Sequence, residues 1–211
     1  LRTALEAAGA PPRRRHGQNF LIDHNLLAAI VRDAEVQPGD RVLEIGAGPG
    51  LLTRHLLAAG ARVDAVEIDE RVEVAARLLI EAPLQERLHW IRADALAGGR
   101  RLSASVEGLL PQCTALVSNL PYNVAAPLLG ALFVHPDCPR RLVVMLQREV
   151  GERLLAKPGS KAFGSLSVLA ALTVRGRLLR AVPAGAFWPR PKVASCLVAF
   201  ERLATRPQLL E

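Results

Sequence analysis

Short apolar runs alternate with helical spacings along most of this chain, and that alternation restricts it to few architectures. Arg41-Val42-Leu43-Glu44-Ile45 is a brief, nearly continuous apolar run that ends in a glycine-rich turn. Such a run reads as a strand covered on both faces. A helix is expected over 51–59, and the pairing then recurs: strand 62–67 with helix 70–80, strands 89–92 and 114–119, helix 124–134, strand 141–147 and a helix through residue 155. Strands alternating with helices imply βαβ units and a mostly parallel sheet. Upstream, residues 26–34 have helical spacing, with Asp23 as the candidate N-cap. Beyond Gly164 the pattern changes to an apolar stretch over 166–174, then 178–182, a Pro-rich turn and 195–200. The last two runs are expected to pair antiparallel and close the sheet edge, bringing the strand count to seven.

A chain of 211 residues, half of them hydrophobic, can bury one sizeable core. Its formal charge of +7 is unevenly distributed: residues 140–211 carry 13 basic and 4 acidic side chains, and Arg13-Arg14-Arg15 adds a second basic knot. This asymmetry suits a polyanionic partner. A solvated arginine-rich surface accounts for the same counts, since 24 of the 27 basic residues are Arg. Cys113, Cys138 and Cys196 lie far apart, with no CxxC and no His cluster. A disulfide framework or a metal site is therefore not expected, and a reducing, cytoplasmic compartment is. No apolar run is long enough to span a bilayer, so no membrane partner is expected.

Four motifs carry chemistry. Gly46, Gly48 and Gly50 follow Glu44 at a strand-to-helix junction, where backbone can approach a ligand closely. Their G-x-G-x-G spacing departs from the dinucleotide fingerprint, because position 51 is Leu. Glu67, 21 residues after Gly46, ends the second strand, where a carboxylate can accept from ribose hydroxyls. Asp94 follows the third strand and can accept from an adenine amino group. Together these acids outline one nucleoside-shaped cofactor site, and the pattern resembles class I S-adenosylmethionine-dependent methyltransferases.

Asn119-Leu120-Pro121-Tyr122 closes the fourth strand. The exocyclic amine of a purine is a poor nucleophile because its lone pair is delocalised into the ring. Two acceptors on its N–H groups favour a pyramidal nitrogen and release that lone pair. The Asn119 side-chain oxygen and the Leu120 carbonyl can be those acceptors, and Tyr122 offers a flat face for the base.

The set Arg14–Leu21, Glu44–Gly50, Glu67-Ile68-Asp69, Asp94-Ala95, Asn119–Asn123 and Phe187–Ser195, in this order, resembles the KsgA-like ribosomal RNA small-subunit adenine dimethyltransferase family over nearly the whole chain. The resemblance implies a seven-stranded Rossmann-like sheet, mostly parallel with an antiparallel edge strand. It implies S-adenosylmethionine as cofactor, with Gln18, Asn19 and Leu21 over its methionine end, and Gly46 and Gly48 beneath it. Glu67 and Ile68 would lie at the ribose, and Asp94 and Ala95 at the adenine. Asn119, Leu120 and Tyr122 would hold the target adenine, with Phe187 stacked on its opposite face.

The implied activity is N6,N6-dimethylation of adjacent adenines in a hairpin loop near the 3′ end of small-subunit ribosomal RNA, on the pre-ribosomal small subunit. The enzyme is expected to act as a monomer without a metal. Arg13, Arg14, Arg15, Arg190 and Lys192 are candidates for phosphate contact. The expected organisation is a basic arm over 1–20, a catalytic domain over 21–203 and a tail over 204–211, with the helical domain that usually follows in the family absent or truncated. Two alternatives stay open: a large-subunit adenine methyltransferase of the macrolide-resistance type, and a non-catalytic nucleic-acid-binding factor on the same fold.

Overall fold

Seven strands form one sheet: β1 (Arg41–Ile45), β2 (Arg62–Glu67), β3 (Leu88–Arg92), β4 (Ala115–Asn119), β5 (Arg141–Gln147), β6 (Val174–Val182) and β7 (Ser195–Arg202). The computed structural model describes residues 1–12 and 18–205. The strand order is β3-β2-β1-β4-β5-β7-β6. The first five strands run parallel, and β7 is antiparallel to both β5 and β6. The antiparallel strand is thus one place in from the margin, with β6 outside it. The crossover from β5 through two helices lands β6 one strand-width away, and β7 fills the gap by turning back.

The helices are α1 (Arg2–Ala7), α2 (His24–Asp33), α3 (Leu51–Ala58), α4 (Glu70–Leu79), α5 (Ala125–Val134), α6 (Arg148–Leu154) and α7 (Ser165–Thr173), besides shorter turns. Asp23 caps α2 as expected, accepting from the Leu26 N–H at 3.0 Å. Side-chain alternation along the strands gives each face its own core. Leu43, Leu116 and Val144 pack with Leu128 and Phe133 of α5 and Ala170 of α7. Val42, Val63 and Val143 pack with Ile30 of α2 and Leu56 of α3. Burying such side chains contributes roughly 1.5–3 kcal/mol each.

The apolar stretch after Gly164 divides into helix α7 and the start of β6. Ser167 fixes the start of α7: its hydroxyl accepts from the Gly164 N–H at 3.1 Å and donates to the Arg153 carbonyl at 2.5 Å. In the stretch read as a basic arm, α1 docks on α4, with Leu5 against Val72 and Ala75 and the Arg2 guanidinium 5.1 Å above the Trp188 ring. Phe20–Leu21 pairs antiparallel with Phe187–Trp188. No helix among the described residues is long and apolar enough to cross a membrane.

Candidate active site

The sheet order reverses between β1 and β4, and the site opens at that point. The ladder between these strands holds only Val42 with Ala115 and Leu43 with Leu116. Beyond it the Ser118 hydroxyl, buried, accepts the Ile45 N–H at 2.8 Å, so the strand ends splay without an orphaned donor. A crevice at the carboxyl ends of parallel strands where the order reverses is where this architecture binds ligands.

The glycine bend and the Asn-Leu-Pro-Tyr turn meet there because one lacks a side chain. Gly46 has φ +74°, and a Cβ on it would stand 2.7 Å from Cδ of Pro121. Gly48, at φ +54°, faces the Phe20 ring, which a Cβ would approach to 3.1 Å. Glycine at these positions therefore lets three segments close on one cavity: the bend, the turn after β4 and the chain leading into α2.

That cavity brings together Gln18, Asn19, Gly46, Gly48, Glu67 and Ile68 with Asp94, Ala95, Asn119, Leu120 and Tyr122. Phe20 and Pro121 also line it. Sequence reasoning quoted both within motifs but gave neither a place in the site. Leu21 is buried and lines a smaller adjoining cavity with Glu44 and Leu52.

Phe187 is not brought to the cavity. It is 3% exposed and packs with Leu21 and Val182 in the core, since its pairing with Leu21 turns the ring inward. Arg190 and Lys192 are exposed in the loop before β7. Arg13, Arg14 and Arg15 lie outside the described residues.

Two buried acids flank the bend. The Glu67 carboxylate, 7% exposed, accepts the Gly48 N–H on one oxygen at 2.9 Å, and those of Ile68 and Asp69 on the other at 2.9 and 3.0 Å. Burial raises its pKa above the usual carboxylate range, and the three N–H groups pull it back down. The oxygen that takes only the Gly48 N–H keeps a lone pair for a further donor. Glu44, 1% exposed, accepts from the Thr53 hydroxyl at 2.6 Å. Burial, aided by the nearby Glu67 charge and opposed by Thr53, pushes its pKa up to about 8. Burial thus favours the protonated form of Glu44.

The acceptor side is equally defined. Asn119 donates its Nδ2 to the Asn19 carbonyl at 3.2 Å. The Tyr122 and Ser195 hydroxyls are 2.6 Å apart, which anchors the tyrosine to the start of β7. Burial raises the Tyr122 pKa, so the phenol is neutral. Asp94 accepts the Leu96 N–H at 2.9 Å with one oxygen.

A nucleoside-bearing sulfonium fits these residues. Glu67 offers the cavity an acceptor of the kind ribose hydroxyls take, Ile68 and Ala95 offer apolar surface, and the glycine bend puts no side chain in the way. Fold and site together define a class I S-adenosylmethionine-dependent methyltransferase. Residues 10–210 match the family described as ribosomal RNA adenine dimethylase. The chain is 45% identical over 208 residues to the ribosomal RNA small subunit methyltransferase A of Phenylobacterium zucineum, covering 98% of this chain and 70% of that one. It is 41% identical over 209 residues to the protein of that name from Deinococcus radiodurans, covering 99% and 68%.

Among solved structures it resembles a dimethyladenosine transferase from Plasmodium falciparum, at TM-score 0.74 and 28% identity, over 87% of this chain and 63% of that one. It also resembles the 23S rRNA methyltransferase ErmE, at TM-score 0.69 and 26% identity, over 92% and 73%. The chain belongs to the ribosomal RNA adenine dimethylase family.

Proposed function

We propose that this chain transfers methyl groups from S-adenosylmethionine to the exocyclic N6 of two adjacent adenines in a hairpin loop near the 3′ end of small-subunit ribosomal RNA, two to each base. The observation that carries this is the meeting of the Asn119–Tyr122 turn with Glu67 and Asp94 around one cavity. When bound, the cofactor supplies an electrophilic methyl on a sulfonium.

This chain's residues do the rest by holding and aligning. Glu67 accepts from the ribose with the lone pair its backbone contacts leave over. Asp94 takes the cofactor's adenine amine, with Ile68 and Ala95 beside the ring. Gln18 and Asn19 close the methionine end. The Asn119 Oδ1 and the Leu120 carbonyl accept the two N–H bonds of the target amine. Neutral acceptors suit this task, because a strong base is not needed for a proton that leaves readily to water. Tyr122 supports the base on one face, and its hydrogen bond to Ser195 keeps the ring in place. The base has to be unpaired or flipped out to enter, a condition that loop RNA meets at low cost.

On this reading the enzyme acts as a monomer in the cytoplasm, on the assembling small subunit. The likeness to ErmE favours a second target, an adenine of large-subunit RNA. The identity of 45% to a small-subunit enzyme against 26% to ErmE supports the first. Methyl transfer from labelled cofactor to small subunits lacking these methyls, and to large-subunit RNA, decides between them. The expected result is label in small-subunit dimethyladenosine, with turnover in Asn119→Ala down by about 10²–10³-fold and cofactor affinity unchanged. Label confined to large-subunit RNA would overturn the assignment. Cofactor binding with no transfer to either RNA would make the chain a binding factor.

A further inference from the structure

One ion pair beside the cofactor wall joins parts of the chain that the sequence separates widely. Asp69, 6% exposed, takes the Arg71 guanidinium through Nε at 2.9 Å and Nη2 at 2.5 Å. The same carboxylate accepts from Gln18 Nε2 at 3.3 Å. The remaining nitrogen of Arg71, Nη1, donates to the Gly9 carbonyl at 3.2 Å. A single carboxylate and guanidinium therefore grip the chain on both sides of residues 10–17, the interval in which the sequence places Arg13-Arg14-Arg15. Arg71 is the first cause holding Asp69 below its ordinary pKa, and Gln18 adds to it, so the pair stays charged at neutral pH.

The grip continues into the catalytic turn. Gln18 is followed by Asn19, whose carbonyl accepts the Asn119 Nδ2 at 3.2 Å. A side-chain amide is nearly symmetric in shape but not in chemistry. With its nitrogen committed to Asn19, Asn119 keeps its oxygen as the acceptor for an incoming amine. Turned over, it would set a donor against a donor.

We infer that the Asp69–Arg71 pair is a positioning element for methyl transfer: it holds Gln18 and Asn19 so that the Asn19 carbonyl fixes the Asn119 amide with its oxygen toward the substrate nitrogen. This rests on the methyltransferase reading above. Helix capping alone does not require it, because the cap donor is the Arg71 backbone N–H, which any residue supplies.

The test is a double-substitution cycle on single-turnover methyl transfer, at saturating S-adenosylmethionine and saturating under-methylated small subunits. Arg71→Met and Gln18→Leu are each expected to slow transfer about ten-fold, and Arg71→Lys, which keeps the charge but loses the fork, to slow it less. If both act through one grip, the double variant is no slower than the worse single one. A loss near a hundred-fold, the product of two independent effects, overturns the inference. So does an undiminished rate in Arg71→Met. Should Arg71→Met not fold, Gln18→Leu alone decides, because it leaves the ion pair intact: an unchanged rate refutes the coupling, and a ten-fold loss with an unchanged RNA KM supports it. Wild-type protein that transfers no methyl at all would instead refute the enzyme reading itself.

Discussion

The two ends of the same strands treat buried acids in opposite ways. At the amino end of the sheet, Asp64 on β2 takes the Arg41 guanidinium through Nε at 2.6 Å and Nη2 at 3.2 Å, and His89 of β3 through Nδ1 at 2.9 Å. At the carboxyl end, Glu44 and Glu67 have no cationic partner among the described residues. One relies on a hydroxyl and the other on three backbone N–H groups. The first arrangement closes a structural network. The second raises both pKa values and leaves acceptor capacity facing a cavity. Incompletely compensated burial is tolerated where a ligand makes up the difference, which is why perturbed acids collect at functional sites.

Four substitutions break or sharpen that contrast. Asp64→Ala acts at the structural end and should cost about 3 kcal/mol, the low end for breaking a buried pair, because Arg41 is partly exposed and can reach water. Denaturant unfolding measures it, and cofactor affinity in the folded protein should stay within about two-fold, since the network lies at the far end of the strands from the cavity.

Glu44→Gln comes next, and its sign follows from the raised pKa. The unfolded chain ionises Glu44 near 4.5, whereas the folded chain keeps it protonated up to about 8. Over that window the native state binds the extra proton, so wild-type stability falls as pH rises from about 4.5 to about 8 and then levels off. The glutamine variant should lose this slope and gain on the order of a few kcal/mol at pH 8. Parallel wild-type and variant curves would show that Glu44 ionises freely in the fold.

Glu67→Gln should weaken S-adenosylmethionine binding by one charged hydrogen bond, about 1.5–3 kcal/mol, measured by calorimetry. Its amide nitrogen would also confront the Gly48 N–H, loosening the bend. An unaltered cofactor affinity would separate Glu67 from the ribose and undo the comparison at its functional end. The smallest effect is expected of Tyr122→Phe. It loses the bond to Ser195, about 1 kcal/mol of stability, but keeps the ring, so transfer should slow only a few-fold.

Much of this site was legible before folding was considered, and the reason is local. A strand ending in Gly46-Ala47-Gly48, an acid at the end of β2 and the Asn119–Tyr122 turn are each contained within a few residues. Their chemistry is written in residue type and spacing. Helix α7 was not legible as a helix, because Val168 and Leu172 put apolar side chains on its exposed face while Ser167 and Thr173 are buried, which erases its period. Nor was the place of Phe187: an aromatic in a Pro-rich loop suggests an exposed ring, and only its pairing with Leu21 turns it inward.

The sequence by itself determined the alternating architecture and the cofactor class, since these follow from short-range pattern and functional-group chemistry. Only the tertiary structure decided that Pro121 seats on a glycine without a Cβ, that burial raises the pKa of Glu44, and that Asp69 and Arg71 grip residues 9 and 18 together. Each of these depends on atoms far apart in the chain meeting in a dry, close-packed space. Burial and contact at that range are properties of the folded molecule, not of any segment of it.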